Sequence, residues 1–192
     1  MLFAALLTRS QSVLKLAHFG NVSSARLDIA PFLTSLARSG LWERIEFHVY
    51  GSDWTGKLRT LRDVTIAFHE LRPWSEVAEI ASTYDLAIVI GNRDPKQLPS
   101  KAVWYLQLPV PRLAIVEDPA ADALAEYIAD KKGWMILPAD ADRPAAKIYR
   151  HYSRMWSRDD LAAPLTESWE RVADDLALFI KGVLGPEVPS DV

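Results

Sequence analysis

The chain has 192 residues, 49 % of them hydrophobic and 24 % charged, with a formal net charge of −3 and no cysteine. That length holds one domain around a single core, and the composition is the ordinary one of a soluble globular protein. The charge balance lacks the strongly basic footprint of a nucleic-acid binder, and the missing cysteines exclude disulfides, cysteine-ligated zinc and thiol catalysis, in keeping with a cytoplasmic setting.

Residues 1–7 are apolar but brief, and Thr8, Arg9, Ser10 and Gln11 interrupt them. No basic stretch precedes them, so the segment does not read as a signal peptide. No run approaches the ~20 apolar residues of a spanning helix; no transmembrane segment is expected, and peripheral association with a membrane stays open. Residues 1–12 read as a linker or remnant, 13–184 as the domain, and 185–192 as a flexible tail.

Short apolar runs then alternate with amphipathic segments. Val13–Phe19 reads as a strand closed by Gly20. Leu27, Ala30, Leu33 and Ala37 recur at helical spacing and predict a helix over 26–38, stopped by Gly40. Strands follow over 45–50 and 64–68, then a short helix over 75–83 with Ser75 as its N-cap. Leu86–Ile90 is a continuous apolar run ending at Gly91-Asn92, the pattern of a strand covered on both faces. A helix over 100–108, a strand over Arg112–Val116, a helix over 122–130 and a strand over 134–137 come next, and helices over 144–156 and 166–184 end the series. Strand–helix alternation of this kind predicts an α/β fold: one Rossmann-like, doubly wound parallel sheet of about six strands with helices on both faces. Ligands would bind at the carboxyl edge of such a sheet, in the loops over 20–25, 51–55, 71–74, 91–99 and 117–121.

Two of these loops carry candidate chemistry. Gly20-Asn21-Val22-Ser23-Ser24-Ala25-Arg26 follows a strand and opens the next predicted helix. Free backbone N–H groups there, with Arg26 beside them, would seat an anion such as a diphosphate; a plain β–α turn with a surface arginine is the other reading. After the strongest strand comes a polar loop from Gly91 and Asn92 to Pro99, Ser100 and Lys101. A cation in the first turn of a helix opposes the helix dipole, so Lys101 is either merely solvated or placed for an anion. Among the histidines, His18 and His48 fall inside strands and read as packed and hydrogen-bonded, whereas His69 ends a strand near the ligand edge and is a candidate donor or base. Trp54 and Trp74 lie in edge loops where they can stack on a base or sugar, with aromatic core packing as the default. No metal-binding, catalytic-triad, Walker or kinase pattern occurs.

Read together, His18-Phe19-Gly20-Asn21 with Arg26, Tyr50-Gly51-Ser52, Tyr84-Asp85 ahead of its strand, Pro99-Ser100-Lys101 followed by Tyr105-Leu106 and Pro111, Gly133-Trp134, and Ser168-Trp169-Glu170 form an ordered series. The series spans about residues 14–184 and resembles the C-terminal, nucleotide-sugar-binding half of GT-B glycosyltransferases, closest to the retaining family 4 and its branches in surface-polysaccharide assembly. The resemblance implies a nucleoside-diphosphate sugar as donor substrate, with no cofactor and no metal. It implies Gly20, Asn21, Arg26 and Lys101 at the diphosphate and Gly51 and Ser100 elsewhere in the donor site, to which His69 and Asn92 are added by their positions at strand ends on the ligand edge.

The departures from that pattern are specific. Trp104 stands where the family has the glutamate that holds the ribose, Lys96 where it has the partner acid eight residues upstream, and Pro109 where it has a glycine. Tryptophan has no acceptor for the ribose hydroxyls. A GT-B enzyme also closes two halves over a cleft, and this chain has length for one, so a homodimer or a partner chain carrying the acceptor half is implied. A non-catalytic binding or assembly module that has lost its donor, and an unrelated flavodoxin-like domain, are the alternatives.

Overall fold

The computed structural model describes residues 13–155; the expected linker at 1–12, the helix over 166–184 and the tail at 185–192 lie outside the described residues. Six strands form one all-parallel sheet: β1 (Val13–Phe19), β2 (Arg44–Tyr50), β3 (Thr65–His69), β4 (Leu86–Ile90), β5 (Arg112–Val116) and β6 (Trp134–Pro138). Their order is β3-β2-β1-β4-β5-β6. The chain therefore winds outward in one direction from β1 and then restarts at β4 in the other, and this doubly wound order places a switch point between β1 and β4.

Side-chain alternation sorts the sheet into two faces. Leu14 and Leu16 of β1, Ile45, Phe47 and Val49 of β2, and Ile88 of β4 belong to one buried cluster with Phe32, Leu33 and Leu36 of α1 (Ala30–Ala37) and Ile148 of α5 (Pro144–Met155). On the other face the central positions are small, with Ala17 aligned to Ala87 and Val89 to Ala114. Helices α2 (Trp74–Ala81), α3 (Ala102–Tyr105) and α4 (Ala123–Ile128) fall on that side, as right-handed crossovers from β3, β4 and β5 require. Every residue of β4 and β5 is buried, which is why both read as unbroken apolar runs. Strand β2, between β3 and β1, alternates between buried Ile45, Phe47 and Val49 and half-exposed Glu46, His48 and Tyr50.

The first three helices depart from their predicted limits in ways the local structure explains. The first starts at Ala30, not at residue 26, because residues 22–27 are committed elsewhere. Val22 bridges Asp53, Arg26 bridges Asn92, and the Leu27 N–H donates to the Gly91 carbonyl at 3.1 Å. The helix begins where Asp28 Oδ1 accepts the Ala30 N–H and a proline occupies the first turn. Helix α2 starts at Trp74 after Pro73, so Ser75 lies inside the first turn and caps nothing. Helix α3 keeps four of the nine residues expected over 100–108, since Pro109 and Pro111 follow closely and the Arg112 guanidinium takes the carbonyls of Tyr105, Leu106 and Leu108. Asp122 does cap α4, its Oδ1 accepting the Leu124 N–H at 2.8 Å.

Candidate functional site

The carboxyl ends of β1 and β4 meet at the switch point, and Gly20 and Gly91 end these strands. Gly20 has φ +147°, and a Cβ on it would lie 2.0 Å from Lys101 Nζ. The missing side chain is what lets the ammonium rest against the backbone. Gly51 ends β2 with φ +152°, and its Cβ would sit 2.5 Å from the Gly20 carbonyl oxygen. Asn21 Oδ1 accepts the Ser52 N–H at 2.9 Å and ties the two loops together. Gly51 and Asn21 thus build the floor that holds Gly20 in place.

Two cations converge on this floor. Arg26 Nη1 donates to Asn92 Oδ1 at 2.5 Å, and the buried Asn92 donates through Nδ2 to the Gln97 carbonyl at 2.7 Å, so Asn92 orients the guanidinium. Lys101 immediately precedes α3 and is placed by Tyr105, whose buried hydroxyl accepts the Phe19 N–H at 2.7 Å and pins the helix to the end of β1. Burial, and then the Arg26 charge, hold the Lys101 ammonium below its ordinary pKa. Burial likewise depresses Arg26, which remains a cation. Behind them His18 donates from Nδ1 to the Ile88 carbonyl at 2.9 Å. Burial brings its pKa down to about 4 against the pull of that bond, with Lys101 and Arg26 adding to the fall, so the imidazole is neutral at pH 7. Among the described residues neither Arg26 nor Lys101 forms an ion pair with a carboxylate. Two half-buried like charges without a counter-ion repel each other, and an anion placed between them would turn that repulsion into two charge-assisted contacts.

A cavity of about 220 Å³ opens from Lys101 between Phe19, Tyr50, Leu71, Trp74 and Trp104. Its walls are ordered by ring contacts: Phe19 and Tyr50 stack at 5.1 Å, and Trp74 and Trp104 meet at 5.4 Å with a 58° tilt. Trp104 lines this cavity and is 37 % exposed.

The structure gathers some of the sequence-predicted residues here and sets others apart. Gly20, Asn21, Arg26, Gly51, Asn92 and Lys101 come together. Of the backbone N–H groups after Gly20, those of Val22 and Arg26 donate to the Ser52 and Ser23 carbonyls, and the helix starts only at Ala30, so no helix terminus faces Gly20 and the positive charge comes from side chains. Ser100 is exposed in the turn before α3, and Lys96 is exposed in the polar loop. His69 does not stand alone: its Nε2 is 2.8 Å from His48 Nδ1, and its ring stacks on Tyr50 at 4.5 Å, with Tyr50 in turn hydrogen-bonded to Tyr84 at 2.8 Å. It belongs to an aromatic group on the β2–β3 face beside the cavity. Sequence reasoning missed Tyr105 as the pin of α3 and Phe19 and Tyr50 as cavity walls; a tyrosine one turn beyond Lys101 was the available signal for the first.

No family model matches this chain, and no curated protein matches it in sequence. Its fold is similar to that of the catalytic domain of cholesterol-α-glucosyltransferase from Helicobacter pylori, with TM-score 0.54 and 16 % identity over 89 % of this chain and 97 % of that one. It is also similar to WaaG, a glycosyltransferase involved in lipopolysaccharide biosynthesis, with TM-score 0.55 and 13 % identity over 96 % of this chain and 50 % of that one. The chain thus spans half the length of WaaG. These neighbours are GT-B glycosyltransferases, and at such identities the likeness is one of fold: a Rossmann-like half.

Proposed function

We propose that this chain is a donor-binding domain for glycosyl transfer, taking a nucleoside-diphosphate sugar at the carboxyl edge of its sheet. The observation that carries the reading is the approach of Lys101 to Gly20 with Arg26 beside it and, among the described residues, no carboxylate paired with either. In a transfer from such a donor, negative charge accumulates on the departing diphosphate, and fixed cations in a half-buried site stabilise it without reorganising. The aromatic cavity beside Lys101 would take the nucleoside by stacking, with Trp104 acting through its ring where the resembled family acts through a glutamate. His18, neutral and held by Ile88, supports the floor without competing for the anion. Among the described residues no helix is long and apolar enough to cross a membrane. The acceptor half would come from a second copy or a partner chain, and the reaction would serve surface-polysaccharide or other glycan synthesis in the cytoplasm.

The test is a titration of the chain with UDP, GDP and ADP, followed by melting temperature. A nucleotide at a hundred times its Kd adds about 2.7 kcal/mol of stability. One nucleotide should raise the melting temperature, and Lys101→Ala and Arg26→Ala should each remove most of the rise. If none raises it at millimolar concentration, the donor reading fails and the module that kept the fold without the donor replaces it.

A further inference from the structure

A second cavity, also of about 220 Å³, shares Arg26 with the cation pair and is otherwise lined by residues that the donor reading does not use. Its rim carries Ser23, Ser24, Asp28, Trp54, Lys57 and Arg93. Trp54 is 70 % exposed, more than any other large hydrophobic residue among those described. A loose loop would explain such exposure simply, but this loop is tied down. The Asp53 carboxylate accepts from the Thr55 N–H at 2.9 Å, the Thr55 hydroxyl at 2.6 Å, the Gly56 N–H at 3.0 Å and the Leu58 N–H at 3.1 Å. The Trp54 N–H itself donates to the Val22 carbonyl at 2.9 Å. The indole is therefore presented to solvent from a braced position, and a ligand that stacks on it has little loop entropy left to remove.

The polar groups around the indole are of both signs. Asp28 accepts from the Ala30 N–H and from Lys57 Nζ at 2.5 Å. Burial alone would raise its pKa, but Lys57 and the Ala30 N–H together bring it below the ordinary value, so it stays a carboxylate. Arg93 donates from Nε to the Arg26 carbonyl at 3.2 Å and is exposed beyond that contact. Beside the cations Arg26, Lys57 and Arg93, the Asp28 carboxylate adds acceptors that a ligand with hydroxyl donors would use and a fully ionised phosphate would not. An apolar face flanked by a carboxylate, an ammonium, two guanidinium groups and two hydroxyls matches a molecule with one C–H face and an edge of hydroxyls, and the volume suits one such ring.

We infer that this cavity binds a single saccharide ring, its C–H face on the Trp54 indole and its hydroxyls on Asp28, Lys57 and Ser23. The inference stands on its own geometry and does not need the donor reading. It is tested by recording indole N–H resonances of the full chain labelled with ¹⁵N-tryptophan while methyl glycosides of glucose, galactose, mannose, N-acetylglucosamine and glucuronate are added in turn. The resonance absent from Trp54→Phe, a variant that keeps a ring at the site, should shift saturably with at least one glycoside. Asp28→Asn should weaken that response about tenfold. No shift at saturating glycoside, or a shift confined to another tryptophan, overturns the assignment. An undiminished response in Asp28→Asn overturns it too. Trp54→Ala should abolish the glycoside response and leave the melting-temperature response to nucleotide untouched, so the two readings fail separately.

Discussion

Arg112 enters the sheet at the amino-terminal end of β5, and Arg26 stands past its carboxyl edge. Arg112 is 7 % exposed and both of its terminal nitrogens are engaged from within: its Nη1 donates to the Leu106 carbonyl at 2.8 Å, with longer contacts to the Tyr105 and Leu108 carbonyls, its Nη2 donates to the Lys132 carbonyl at 2.7 Å, and the guanidinium lies 5.5 Å over the Trp134 ring. Arg26 has one short partner, the Asn92 amide oxygen, a contact of 3.5 Å to the Ile90 carbonyl, and a second cation as neighbour. The same side chain thus closes a helix and a strand junction at one end of the sheet and holds charge in readiness at the other. The difference lies in how complete the partner set is. It follows the general division of open α/β sheets, in which the carboxyl edge is where ligands bind.

The two substitutions that separate these roles also have the largest expected effects. Arg112→Met removes the guanidinium donors to the Leu106 and Lys132 carbonyls and should cost about 3–5 kcal/mol in urea unfolding. Arg26→Met should cost less than about 1 kcal/mol and act on the nucleotide response instead. Equal losses of stability from both would erase the distinction.

Acidification sharpens the contrast from the side of His18. Its folded pKa of about 4 lies below the ordinary 6.5, so between those values the unfolded chain binds more protons than the folded one. The stability that neutral His18 allows is whole above about pH 6.5 and is lost as pH falls, the loss being complete below about pH 4, with a size of about 3 kcal/mol. Burial depresses His48 and His151 in the same sense, so the comparison is with His18→Asn, whose unfolding free energy should change less between pH 7 and 4 than that of the parent chain. Parallel pH profiles would show that the desolvated imidazole behind the two cations is not what resists the proton.

Much of this was legible in the sequence, and the reasons are local. The unbroken run Leu86–Ile90 announced a doubly covered strand, and the alternating apolar runs announced a parallel sheet with its carboxyl edge at Gly20, Gly51 and Gly91. The helix expected from residue 26 failed because Leu27 is buried by pairing with the Gly91 segment, a long-range contact that imitates helical spacing. The role of Asn92 was out of reach for the same reason. It was recognised as an edge residue, but that it orients Arg26, sixty-six positions away, depends on the two loops crossing. Trp104 read as a lost carboxylate, and only its contact with Trp74 reveals it as one wall of a cavity. Periodicity reports which faces are buried; it does not report which loops meet.

The smallest expected effect tests the comparison most directly. Lys101 is half-buried, destabilised first by lost hydration and then by Arg26, and no carboxylate among the described residues repays it. If the cluster existed for the fold, removing the ammonium would weaken the chain as removing Arg112 does. If it is held for an anion, the free protein carries the repulsion as a cost, and relieving that repulsion stabilises it, as substitutions at binding sites often do. Lys101→Met keeps the aliphatic stem against Gly20 and takes away the charge, so urea unfolding should show a gain of about 0.5–1 kcal/mol while the nucleotide response disappears. A loss of stability with the response intact would place Lys101 beside Arg112, among the charges the fold uses for itself.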